Sequence, residues 1–258
     1  MFITTLWRTC MLLAIGVAVA GAQGLYWEST TTGGPAGDAG EITKTYAMPK
    51  MFKVEIPNQS NAMILRMDRE MMYTVDHKAK SYWQMTFAEM EASLKKASEK
   101  MDELSKQMEN MPPEQRKMME QMMGNRMKKS KELPPVSVVG PSERKTIRGY
   151  SCSKYVALRE RDTLVTVWAT KDVGEFAAMR NDFEAFNKRL ASMDIGGAQA
   201  MSEAFRKIDG FPMRMEMGGV TSEVTKVESR SLKAKEFEVP AGYTKTDPPG
   251  MGEPAVDQ

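Results

Sequence analysis

Residues 61–85 read "NAMILRMDREMMYTVDHKAKSYWQM", and their alternation decides the fold. Three short segments are separated by polar turns at Asp68-Arg69 and at 76–80. Met63, Leu65 and Met67 fall on one face of the first segment; Met71, Tyr73 and Val75 fall on one face of the second. Apolar residues at every second position mark half-buried strands, and short polar turns between them make an antiparallel meander. The pattern extends upstream. Phe52, Val54 and Ile56 alternate with Lys53 and Glu55, a further strand is expected at 42–48, and Leu25-Tyr26-Trp27 opens the strand region before a glycine-rich loop over 31–40.

Downstream the period changes. Thr86-Phe87-Ala88-Glu89 is a capping box, in which the hydroxyl caps the helix start and the carboxylate reaches back to the cap. Apolar residues then recur at 87, 90, 94, 97, 101, 104, 108 and 111, a helical seam alternating steps of three and four. Pro112-Pro113 ends that helix, and a return helix is expected over 114–129. Residues 86–131 therefore read as an inserted, methionine-rich helical hairpin. Strands are expected again at 136–139, 145–158 and 163–169. A second box at Asp172-Val173-Gly174-Glu175 starts a helix that Gly196-Gly197 ends, and a shorter helix follows over 198–208. Phe211, Met213, Met215 and Met217 alternate with polar residues in another strand, and 220–229 forms the next. The fold class is α+β: a curved, mostly antiparallel half-barrel sheet with helices on one side and the inserted hairpin.

The start of the chain carries an address. Arg8 precedes an apolar run over 11–20, and Ala20-Gly21-Ala22 has the small-x-small form of a signal-peptide cleavage site. The expected organisation is a signal peptide over 1–22, one α+β domain over 23–244, and a disordered, Pro- and Gly-rich tail over 245–258. Export to the periplasm or the outside of a bacterial envelope follows. Without Arg8, 35 basic side chains face 34 acidic ones, a balance that argues against a nucleic-acid partner.

Catalysis has few carriers. The chain has one His and two Cys, and Cys10 falls inside the leader. His77 and Cys152 stand far apart, and there is no G-x-S-x-G elbow, standard phosphate loop or H-E-x-x-H. No enzyme activity and no cofactor are expected.

Methionine is the outstanding residue, with 25 in the chain. In "KMMEQMMGNRMKK" (117–129), Met119, Met123 and Met127 form one column four apart, and Met118 and Met122 a second. Thioethers bind soft ions such as Cu(I) and Ag(I), and they also absorb oxidants. Yet Arg116, Lys117, Arg126, Lys128 and Lys129 crowd the segment with positive charge. Methionine also recurs along the strands, where it serves as deformable apolar filling.

The stretch 46–85, "YAMPKMFKVEIPNQSNAMILRMDREMMYTVDHKAKSYWQM", resembles the first half of the LolA/LolB-like periplasmic proteins. These carry lipoproteins in an open half-barrel sheet lidded by helices. "TIRGYSCSKYVAL", "VTVWAT" and "EFEVPAGY" resemble an exported family, the domain of unknown function numbered 4412 (DUF4412). The resemblance implies binding of a lipid, an acyl chain or a lipoprotein-like partner in an apolar interior. The residues expected to line that interior are Met63, Leu65, Met67, Met71, Tyr73, Tyr150, Met213, Met215 and Met217. Two alternatives stand beside it: Cu(I)/Ag(I) binding or oxidation buffering by Met118, Met119, Met122, Met123 and Met127, and an interaction module whose basic hairpin contacts a partner or a membrane surface.

Overall fold

The computed structural model describes residues 23–34, 40–109, 111–112, 114–115, 134–191 and 198–248. The expected signal peptide, the return helix beyond Gln115 with its five methionines, and the last part of the expected tail lie outside them. Thirteen strands form one sheet: β1 (Gln23–Thr32), β2 (Glu41–Met48), β3 (Met51–Ile56), β4 (Asn61–Arg66), β5 (Met71–Asp76), β6 (Ser81–Thr86), β7 (Val136–Val139), β8 (Arg144–Ile147), β9 (Tyr150–Arg159), β10 (Asp162–Thr170), β11 (Phe211–Met217), β12 (Val220–Ser231) and β13 (Thr244–Lys245). Their order is β13-β6-β5-β4-β3-β2-β1-β12-β11-β10-β9-β7, with β8 paired to β9 off this path. The sheet is open. Every pairing is antiparallel except β13 with β6. The meander read from 61–85 is β4-β5-β6. Its turns place Glu70 and Lys80 at φ 52° and 51°, so alternation, not glycine, sets their position.

One expected strand is divided. Residues 145–158 read as a single run, but Arg148 and Gly149 both adopt positive φ, 51° and 87°, and fold the run into the β8–β9 hairpin. Two successive positive φ values suit the right-handed twist of a two-residue hairpin. The buried face of β9 also changes along its length. Cys152 is buried, but beyond it Tyr155 and Ala157 are the buried pair, while Val156 and Leu158 are half-buried.

Among the described residues, the helices accompanying the sheet include α1 (Phe87–Glu109), α2 (Gly174–Ala191) and α3 (Ala198–Arg206). The box that starts α1 closes in both directions. The Thr86 N–H donates to Glu89 Oε2 at 2.7 Å, and the Glu89 N–H donates to Thr86 Oγ1 at 3.1 Å. This hydrogen bonding, chiefly from the backbone of Thr86, holds the Glu89 carboxyl below its ordinary range. Thr86→Ala is expected to cost about 1 kcal/mol. Faster amide exchange in the first turn of α1, with other protection unchanged, is the measurement that checks it. Along the first turns of α1, Phe87 is buried, Met90 and Leu94 are half-buried, and Ala97 is exposed.

A single cross-strand row carries the main core. Leu25 pairs with Ala47, Ala47 with Phe52, Phe52 with Leu65, Leu65 with Met72, and Met72 with Met85. Phe87 and Met90 of α1, and Phe176, Met179 and Phe186 of α2, join the cluster built on this row. Phe87 and Phe186 rings lie 5.0 Å apart.

The opposite face of the same strands has a different cover. Ala62, Ile64 and Val75 pack there with Leu232, Phe237 and Val239. The chain after β12 crosses this face as a strap and ends by pairing Thr244–Lys245 with β6. Lys245 and the next three residues are thus ordered where a tail was expected from 245; the rest lies outside the described residues. Arg66, 2 % exposed, pins the strap. It forks onto Asp68 at 2.7 and 2.9 Å, approaches Glu238 at 3.6 Å and donates to the Phe237 carbonyl at 3.5 Å. The hydrogen bonds from Arg66 hold the Asp68 carboxyl below its usual range.

Beyond the strap this face is aromatic and charged. Tyr26 and Tyr46 rings are 4.9 Å apart, and the Arg230 guanidinium lies 3.5 Å over Tyr26. Burial, then Glu55, pushes the Tyr46 hydroxyl up to about 12; burial, then Glu28, raises Tyr26 further. Raised pKa values mean that the folded state holds these protons more tightly. Their contribution to stability is complete below the ordinary tyrosine value of about 10 and is lost as pH rises through the folded values. Alkaline titration followed by phenolate absorbance is therefore expected to show these two of the seven tyrosines ionising together with unfolding. Their ionisation near pH 10 in a folded chain contradicts this.

Candidate functional site: an apolar cleft under two helices

The residues of β1, β10, β11 and β12 that face α2 and α3 do not close onto them completely. A cleft of about 270 Å³ remains between sheet and helices. Its floor is Trp27, Val167, Phe211, Met215, Ser222 and Val224; α2 adds Phe176, Arg180 and Glu184, and α3 adds Ser202, Phe205 and Arg206.

Local structure explains each wall. Phe211, fully buried, sits where the chain returns from α3 into β11. It takes the ring edges of Trp27 at 5.4 Å and Phe176 at 5.2 Å, with interplanar angles of 82° and 77°. Edge-to-face contacts of this kind stiffen an apolar wall. Gly210, one residue earlier, has φ 111°, and a Cβ there would stand 2.3 Å from the Thr170 carbonyl oxygen, so only glycine permits this return. Ala204 and Ile208 pack against Tyr155, Ala157, Val165 and Val167, which fixes α3 over β9 and β10.

The rim is charged but internally paired. Arg180 donates from Nε to Glu184 at 2.8 Å and from Nη2 to the Arg206 carbonyl at 2.6 Å, and its Nη1 lies 3.7 Å from Asp209. Asp209 also pairs with Lys171, whose hydrogen bond holds its carboxyl down. Arg180 thus ties α2 to the end of α3 across the cleft. Capping a helix C-terminus with a guanidinium also suits the helix dipole.

The residues expected from sequence to line an interior divide between two faces. Met215 lines the cleft, and Met213, fully buried, packs in the neighbouring core. Leu65 is buried in the helix-side row; Met67 and Tyr150 pack at its edge. Met63 shares that face but is 40 % exposed. Met71 pairs with Arg66 and Tyr73 with Ile64, which places both on the strap side. Met217, 56 % exposed, lies at the β11–β12 turn. The β4–β5 register separates the two triplets: Met63 pairs with Thr74 and Leu65 with Met72, so Met63 and Leu65 face away from Met71 and Tyr73. Sequence reasoning missed Trp27, Phe176, Phe205, Phe211 and Val224. The aromatic spacing of α2 was visible, but nothing local joins it to β1 and β12.

Other chemistry is sparse. His77 shares a hydrogen bond of 2.9 Å with the Tyr243 hydroxyl on the strap side. Cys152 is fully buried, and burial raises its thiol pKa. Among the described residues no group of three His, Cys, Asp or Glu is placed to hold a metal ion. No described helix is long and apolar enough to cross a membrane.

An open antiparallel sheet, with an apolar cleft under helices and a self-paired rim, defines the class. The chain belongs to the family described as "Domain of unknown function (DUF4412)", whose model matches residues 101–243. No curated protein matches the sequence. Among solved structures, PNGF-II in a C2 crystal form is similar at 10% identity and a TM-score of 0.38, over 88% of this chain and 31% of that one. The P21 form gives 10%, 0.36, 88% and 32%. This chain thus spans under a third of the length of PNGF-II. The LolA superfamily protein NE2245 from Nitrosomonas europaea is similar at 7% identity and a TM-score of 0.28, over 84% of this chain and 89% of that one.

Proposed function

We propose that this chain is an exported, non-catalytic binding protein of the bacterial envelope that takes a single apolar chain into the cleft beneath α2 and α3. The ligand class is a fatty-acyl chain, free or on a lipid or lipoprotein partner. The observation that carries the reading is the cleft itself: about 270 Å³, floored by Trp27, Val167, Phe211, Met215 and Val224. Small-molecule pockets typically run from roughly 300 to 1,000 Å³. A cleft just below that range favours one chain over a multiply acylated anchor. The paired rim supports the same reading, because Arg180 and Glu184 satisfy one another and leave apolar burial as the main source of affinity. The signal-peptide pattern over 1–22 supports export.

Native mass spectrometry of protein extracted from its own envelope tests this, followed by titration with a fluorescent fatty acid. A co-purifying lipid mass, or saturable uptake displaced by unlabelled fatty acid, is expected. A clean unliganded mass with no uptake sinks the proposal.

A further inference from the structure

The two arginines that line the cleft are held differently. All three guanidinium nitrogens of Arg180 are engaged, with Glu184, the Arg206 carbonyl and Asp209. Arg206 has its backbone fixed by that contact, but its side chain is held loosely. Its ion pair is with Glu203, one turn back on the same helix, at 3.9 Å, and the two side chains are 45 % and 51 % exposed. An ion pair that long and that open to water constrains its partners little. Ser202 and Phe205 line the cleft beside Arg206. Positions 202, 205 and 206 share one face of α3, because residues three and four apart on a helix are neighbours. The cleft therefore combines an apolar floor with a rim guanidinium that has donors to spare.

We infer that Arg206 binds the carboxylate of a free fatty acid whose chain lies in the cleft, so that the site prefers the acid to an uncharged derivative of the same length. The inference rests on the binding reading above for the chain and adds the chemistry of the chain's end. A guanidinium offers two parallel N–H donors, and a carboxylate accepts both. Ser202, half-buried on the same face of α3, adds a hydroxyl to that rim. The nearby acids favour a single negative charge. Glu184 lines the cleft and Glu203 stands beside Arg206, so a doubly charged phosphate monoester meets more repulsion there than a carboxylate does. Apolar burial holds the chain, and Arg206 selects its end.

Displacement of the uncharged fluorophore N-phenyl-1-naphthylamine tests this at neutral pH, with decanoate, decan-1-ol and decyl phosphate as competitors. The full chain is compared with Arg206→Gln, Arg206→Lys and Lys207→Gln. Lys207 is exposed and outside the cleft lining, so its variant controls for net charge. The quantity read is the ratio of decanoate to decan-1-ol affinity, in which the ligands' own hydration cancels between variants. The ratio is expected to fall about fivefold in Arg206→Gln, the upper range for an exposed ion pair, and to keep its wild-type value in Lys207→Gln. Arg206→Lys keeps the charge without the fork and is expected to fall between them. Decan-1-ol affinity is expected to be unchanged throughout, which also reports that each variant is folded. An unchanged ratio in Arg206→Gln, or an equal fall in Lys207→Gln, overturns the inference and leaves the cleft reading standing. A larger fall for decyl phosphate than for decanoate overturns the assignment to a carboxylate. If the fluorophore is not taken up, or neither acid nor alcohol displaces it, the cleft reading fails and this inference fails with it.

Discussion

Phe237→Ala is expected to destabilise the fold by about 3–5 kcal/mol, the range for removing a fully buried aromatic ring from a core. Phe237 is 0 % exposed and packs with Met48, Ala62, Ile64, Val75 and Leu232 on the face away from the helices. The surrounding groups are held by strands on one side and by the Arg66 fork on the other, so collapse into the vacancy is restricted. Urea unfolding should show a lower midpoint with an unchanged slope. A loss under about 1 kcal/mol would mean that the strap is an ornament of the sheet and not part of its core. Strand order adds a second expectation: loosening the strap should raise amide exchange at Thr244 and Thr246, which donate to the carbonyls of Lys80 and Tyr82.

Ser222→Trp is expected to abolish most fatty-acid uptake while leaving the fold intact. Ser222 lines the cleft, is half-buried, and pairs with Met215 and Thr31. An indole there occupies the space that the ligand needs. Excluding only two methylenes from burial removes about 1.6 kcal/mol, more than tenfold in affinity. Arg161→Trp, on the exposed β9–β10 turn, is the control for adding an indole to the surface. Equal uptake by both variants would place the ligand elsewhere. A Ser222→Trp chain with a native urea midpoint and lost uptake would place it in the cleft.

The two predictions concern parts of the molecule that were unequally legible. The β3–β6 meander could be read residue by residue, because apolar alternation and the polar turns lie within a few positions of one another. The start of α1 was legible for the same reason, since the Thr86–Glu89 box closes across three residues. The β8–β9 hairpin was missed because only Arg148-Gly149 separates Ile147 from Tyr150, with no longer polar turn to mark the break. The strap was missed more completely. The sequence after β12 is polar and short in apolar runs, yet Phe237 and Leu232 fill the space over Ile64 and Val75.

The candidate site shows where local reading stops. Alternation says that Met63, Leu65 and Met67 share a face, and that Met71, Tyr73 and Val75 share one. It does not say whether the two faces are the same. Register decides that, and register joins Leu65 to Met72, which sends the second triplet to the strap side. The cleft needs still longer connections: Trp27, Phe176 and Phe211 meet edge to face from the beginning, middle and end of the chain.

The sequence by itself therefore determined the meander strands β3–β6 with the parity of each, and the start of α1, since these are set by side chains within a few residues of one another. Only the tertiary structure decided which faces converge, how the strap covers the second face, and where an apolar space stays open. Those depend on pairings such as Arg66 with the Phe237 carbonyl, 171 residues apart, for which no local periodicity exists.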